Sequence, residues 1–288
     1  MSLAGLIYLL LSVGCALLIA HFLKLVEHRG LDTLMVITVN YFVATTIAIF
    51  MNAVSGEPVM PGFPPWMWLL AFVVGIFFIA NFFVYSKSIY DNGVGVSVAA
   101  MRLSLLIPVL LSILLYHEPV TILRIIGVIA IITALLMLVA SRWNVQVRNV
   151  SSHWLLLLLF LFTGIADASK KIFEEEGLGS ATEAHYMGLV FLSSFLIGIT
   201  VVIYRGIKGL SFEHVKLGLA VGVPNLFTSV FLIRALQHAD GTVIYSAVNI
   251  LIVIGGALLG KLYWQDKITR LQIAGMALAI LGIIILID

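Results

Sequence analysis

The chain has 288 residues, 62% of them hydrophobic and only 10% charged. A soluble domain carries about 45–50% apolar and 25% charged residues, so this composition excludes an ordinary water-soluble domain. The formal net charge of +2, spread without a basic or acidic block, excludes a nucleic-acid surface and a solvated acidic tail.

A helix crossing the hydrocarbon core needs about 20 mostly apolar residues. Taken in chain order, the apolar runs predict helices over 3–23, 33–54, 66–89, 94–115, 121–140, 152–173, 183–204, 214–236, 241–262 and 269–287. The first run has no Lys or Arg ahead of it and no small-residue cleavage site behind it, so it is read as a span and not as a signal peptide. Its cysteine, Cys15, is the only one and can form no disulfide within the chain. The breaks, such as Glu57-Pro58 to Pro64-Pro65, His117-Glu118-Pro119 and Arg205 to Glu213, are too short for a soluble domain. The runs are continuous and not alternating, and an open sheet edge cannot sit in lipid. The expected fold is an all-α membrane protein of ten transmembrane helices.

The chain repeats itself. Glu118, Thr121 and Gly127 open the fifth run, and Asp266, Thr269 and Gly275 open the tenth with the same spacing. The threonine can cap the helix that follows, and the glycine admits a second helix at close range. The acids fall in turns before a helix, where a carboxylate suits the positive end of the dipole, so their expected role is structural. Gly14 matches Gly164, Lys87 matches Arg234, Arg102 matches Asn249 and Pro108 matches Gly255, all at offsets of 147–150 residues. The expected halves are residues 1–147 and 148–288. Five spans per half is an odd number, so the second half enters the membrane from the opposite side, an inverted repeat of the kind secondary transporters use.

The doubled acid–x–x–Thr–x5–Gly element, on a five-plus-five frame of this length, resembles the EamA-type branch of the drug/metabolite transporter superfamily. The resemblance implies a pocket lined by spans one to four and six to nine, with spans five and ten peripheral. Small four-helix relatives couple protons through a glutamate in span one. The region around Gly14 and Cys15 has no carboxylate, so that mechanism is not carried over. Most Lys and Arg residues outside the spans fall in or beside odd-numbered loops, which places those loops in the cytoplasm and both termini outside. The resemblance implies the opposite sense; the charge count is the reading kept.

Charged groups within spans cost about 2.5–3.5 kcal/mol on insertion scales and mark functional positions by default. Arg102 falls near the middle of span four, too deep to snorkel, and its guanidinium can grip a carboxylate or phosphate with two parallel bonds. Tyr245 and Asn249 share a face of span nine opposite it in the repeat frame, and with Asn40, Tyr41 and Asn225 they form the expected substrate-binding set. Asp167 precedes Lys170 and Lys171 by three and four residues in span six, a spacing that allows an ion pair or a proton-coupling site. Lys87 and Arg234 stand at span ends, either snorkelling or guarding a pathway. The turn that follows Lys87 places Asp91 in solvent.

These features point to a secondary transporter of a small anionic or zwitterionic metabolite in the inner membrane, working by alternating access. An exporter of cationic or neutral compounds coupled to protons through Asp167 is the alternative. An intramembrane enzyme is disfavoured, since the chain has no HExxH, GxSxG or GxxxxGK motif and its seven histidines lack ligand spacing. No cofactor or metal is expected. The partners expected are the substrate, lipid and, in the alternative, protons, with the unit a monomer or homodimer.

Overall fold

The computed structural model describes residues 2–58, 62–92, 94–140, 152–206, 209–265 and 269–287. Among these, the regular elements are all α-helices: α1 (Leu3–His28), α2 (Thr33–Val54), α3 (Pro65–Asn92), α4 (Val94–Leu103), α5 (Leu106–Leu114), α6 (Ile122–Ala140), α7 (His153–Glu176), α8 (Glu183–Tyr204), α9 (Phe212–Leu236), α10 (Gly241–Trp264) and α11 (Arg270–Ile287). Eight spans, with α4 and α5 taken together, are long and apolar enough to cross a membrane. The protein is an all-α membrane protein.

One expected helix is interrupted. Span four is the pair α4–α5, broken at Ser104-Leu105. Proline at position 108 has no N–H for the Ser104 carbonyl four residues back, and its ring crowds that carbonyl. The chain answers with shorter turns: the Leu105 amide bonds the Arg102 carbonyl at 3.3 Å and the Ile107 amide bonds Ser104 at 2.9 Å. Arg102 therefore stands in the last turn of a short helix, where a cation suits the dipole.

The helices fall into two compact units. Unit one comprises Met1–Leu6, Ala80–Lys171 and His238–Asp288; unit two comprises Ile7–Ile79 and Ile172–Gln237. Each unit thus takes helices from both halves of the sequence, and the change of unit falls inside α1, α3 and α7.

In unit two, α2 is the central helix and packs against α8 and α9. A Cβ on Gly222 would meet the Asn40 carbonyl and Val43 at 2.8 Å, so glycine sets how closely α9 approaches α2. Between them the Asn225 amide donates to Asn40 Oδ1 at 3.0 Å. Tyr41 is buried and stacks on Phe191, and Phe173 stacks on Tyr186 with centroids 4.6 Å apart. The apolar core is thus held by rings and one amide pair.

In unit one, α6 and α11 make the same contact twice. A Cβ on Gly127 would meet Leu286 at 2.8 Å and the Gly282 carbonyl at 3.2 Å; a Cβ on Gly275 would meet Leu138 at 3.2 Å and the Ala134 carbonyl at 3.3 Å. Each partner on α11 lies 148 positions after its counterpart on α6. The start of each helix packs on the end of the other, so the two run antiparallel. That antiparallel relation is the one an inverted repeat would require of spans five and ten. The two non-glycine residues with positive φ among the described residues, His117 (53°) and Gln265 (57°), are also 148 positions apart. A Cβ on Gly256, by contrast, would meet no atom of the described residues within 4 Å.

Helix starts are capped in two ways. Asp32 accepts from the Met35 amide, Thr121 from the Arg124 amide and Thr269 from the Gln272 amide; Thr182–His185 and Ser211–His214 form capping boxes. These are local caps. The α7 and α10 starts are tied from a distance instead. Asn92 Oδ1 accepts from the Ser152 amide at 3.0 Å, and Glu118 serves α10.

Candidate functional site

The polar side chains of unit one gather around Arg102. Its Nη1 donates to Asn249 Oδ1 at 3.4 Å. Asn249 donates from Nδ2 to the Tyr245 carbonyl at 3.0 Å, which leaves its oxygen turned to the guanidinium. Tyr245 donates its hydroxyl to the Asp167 carbonyl at 2.9 Å. The Asp167 side chain and Tyr85 both lie within electrostatic reach of Arg102. Asn81 donates to Thr163 Oγ1 at 3.2 Å. Asn81 and Tyr85 are one turn apart on α3, as Thr163 and Asp167 are on α7, so each pair shares a face.

The result is a ring through four spans: Asn81 and Tyr85 on α3, Arg102 on α4, Thr163 and Asp167 on α7, Tyr245 and Asn249 on α10. The last two are buried, and the other five are only partly buried, although they stand well within their helices. Arg102 and Asn249 are repeat mates 147 positions apart.

The charges are distributed unequally. Asp167 Oδ1 is 2.7 Å from Lys170 Nζ. Lys171 turns away, since adjacent helical residues point about 100° apart. Its Nζ lies 3.4 Å from Glu118 Oε1 and over the Tyr116 ring. The two lysines expected to share one aspartate thus turn to different carboxylates, Lys170 to Asp167 and Lys171 to Glu118. Arg102 keeps only the neutral Asn249 oxygen as a hydrogen-bond partner among the described residues, at the long end of the range.

Glu118 holds the start of α10. Its carboxylate accepts from the Gly241 amide at 2.6 Å, the Thr242 amide at 3.0 Å and the Thr242 hydroxyl at 2.9 Å. The helix it serves is therefore not the one that follows it in sequence, where Thr121 caps. Burial pushes its carboxyl up, but the Thr242 and Gly241 donors and Lys171 outweigh burial and hold it below the usual carboxylate range. Arg124 adds a pair to Asp240, the residue before α10, at 2.6 Å. Asp266, the repeat mate of Glu118, lies outside the described residues.

The remaining expected residues are elsewhere. Asn40, Tyr41 and Asn225 belong to unit two, in the core contacts given above. Lys87 is largely exposed and pairs with Asp91 at 3.2 Å. Asp91, expected in solvent, is mostly buried and also accepts from Ser152 Oγ. Arg234 pairs with Glu183 at 3.4 Å. Among the described residues no group of three His, Cys, Asp or Glu side chains could hold a metal. Tyr85 and the Asn81–Thr163 pair were not singled out by sequence as site residues. The i,i+4 spacing of Asn81 and Tyr85 on one apolar helix was the signal available.

Residues 3–140 match the family described as the EamA-like transporter family. An uncharacterized protein of Haemophilus influenzae is 25% identical over 96% of this chain and 95% of its own length. A solved crystal structure of a protein superposes with a TM-score of 0.76 over 97% of this chain and 98% of that one, at 13% identity, a likeness of fold. Over residues 3–140 the chain is thus similar to the EamA-like transporter family, and its long apolar helices make it a multi-pass membrane protein.

Proposed function

We propose that the chain is a secondary transporter of an anionic or zwitterionic metabolite, with the substrate's carboxylate or phosphate anchored on Arg102. One observation carries the reading: the guanidinium has a single long bond to a neutral amide, while Asp167 and Glu118 each hold a lysine. A guanidinium at membrane depth is costly without an anion, and it offers five donors in a fork that suits an oxyanion. Asn249 and Tyr245 complete the site, and Asp167 with Lys170 sets its charge. The protein resides in the inner membrane with its termini outside, and access to the site alternates between the two faces. The inverted sense of α6 and α11 supports that cycle, since a repeat of this kind can exchange conformations between its halves.

A thermal-shift screen of the purified protein against metabolite classes, run beside Arg102→Ala, tests the assignment. A ligand that binds the native state raises its melting temperature by mass action. Carboxylates or phosphates are expected to stabilise wild type and not the variant. Equal stabilisation of both proteins by cations or neutral compounds overturns the reading. It would move Asp167 to the front as the binding or proton-coupling group.

A further inference from the structure

The ring around Arg102 contains one polar atom the proposed site does not use. Asn81 Oδ1 is buried and has no hydrogen-bond partner among the described residues, while its Nδ2 is committed to Thr163. An acceptor left unmatched away from water is costly, and native structures keep such groups where something else supplies the donor. From the ring, we infer that Asn81 is a specificity residue: its carbonyl receives an N–H or O–H of the substrate, so the substrate is an organic anion carrying a hydrogen-bond donor beside its charged group. The inference rests on Arg102 as the anchor.

The placement follows from the ring's connections. Arg102 lies within reach of Tyr85 and of Asp167. Asn81 is one turn before Tyr85 and Thr163 one turn before Asp167, and Asn81 and Thr163 are bonded to each other. The Asn81 carbonyl therefore stands about one helical turn, roughly 5.4 Å, from the level of the guanidinium along both α3 and α7. An anionic group on Arg102 and a donor on the adjacent carbon, with a hydrogen bond at each end, span a gap of that size. Asp167 is engaged by Lys170 at Oδ1 and by Tyr245 at its carbonyl, whereas Asn81 Oδ1 has no donor among the described residues.

Six probes on two skeletons test this: propionate, lactate and alanine, and 3-phenylpropionate, phenyllactate and phenylalanine. Their affinities are measured by thermal shift on the full chain in detergent, for wild type, Asn81→Leu, Asn81→Asp and Arg102→Ala. Wild type is expected to bind the hydroxy or amino compound of at least one skeleton about tenfold or more tightly than its donor-free parent. Asn81→Leu should bind all three members of that skeleton alike. Asn81→Asp, which keeps an acceptor, should retain the preference and guards against misfolding of the leucine variant. The inference fails if wild type shows no such preference, or if both Asn81 variants keep it unchanged. In the second case, loss of binding in Arg102→Ala leaves the anchor standing and sinks only the role of Asn81. Binding unaffected by Arg102→Ala sinks the anchor as well.

Discussion

Replacing Glu118 by glutamine tests the joint among the α5–α6 turn, the end of α7 and the start of α10. The carboxylate takes three donors from Gly241 and Thr242 and faces Lys171 at 3.4 Å, with the two side chains 7% and 4% exposed. Glutamine keeps one acceptor oxygen but sets an NH2 group against donors. The loss of a buried pair that strands the remaining charge costs about 3–5 kcal/mol, of which a cap accounts for about 1 kcal/mol. The variant should melt well below wild type at pH 7. The double variant Glu118→Gln with Lys171→Met should recover much of the loss, because the buried ammonium that faced the carboxylate is then removed with it.

Acid gives a second reading of the same group. The folded-state carboxyl titrates below its unfolded value, so its contribution is fully present above the unfolded value of about 4.3 and fades as pH falls through the lower folded one. Wild-type stability should therefore drop below about pH 4.3, and Glu118→Gln should lack that part of the drop. Melting curves in detergent between pH 7 and pH 3 decide it. Identical melting temperatures and acid profiles for the two proteins would refute the argument.

Other substitutions probe the remaining joints. Pro108→Ala restores an amide to the Ser104 carbonyl and should join α4 to α5, slowing hydrogen exchange at residues 104–108 and stabilising the span by up to about 3 kcal/mol; unchanged exchange would show that the proline does not cause the break. Gly222→Val forces a side chain into Asn40 and Val43 and should destabilise by about 1–3 kcal/mol, read as a fall in melting temperature. Asn225→Leu leaves the Asn40 amide without its partner; polar pairs between membrane helices average about 0.6 kcal/mol, so a small fall is expected, and a collapse would mean the pair does more than join helices.

The spans were legible because lipid demands a long apolar run and water demands a polar break, and both constraints are local. Boundaries such as 33–54 and 183–204 therefore recur unchanged in α2 and α8. The common offsets pointed to particular residue pairs, and the contacts of Gly127 and Gly275 between α6 and α11 fall at one of them, 148 positions. The α4–α5 break was not foreseen, although Pro108 was in view, since a membrane helix can carry a proline without ending, as α9 does at Pro224. The grip of Glu118 on α10 joins residues more than 120 positions apart, and spacing carries no information about such partners. For Arg102 the sequence supplied an apolar span and a charge within it, whereas Tyr85 and Thr163 joined the candidate site only once four helices were brought together.

The paired contact of α6 and α11 has a mechanical consequence. A joint that looks the same from either of its members is indifferent to which half of the molecule adopts which shape. In the alternating-access cycle proposed above, an exchange of conformations between the halves would make Gly127 and Gly275 trade roles, and the contact after it would be the one that existed before. Such a joint would add no bias toward either end state, and the balance would fall to groups that differ between the halves, of which the Arg102 and Asn249 pair is the plainest.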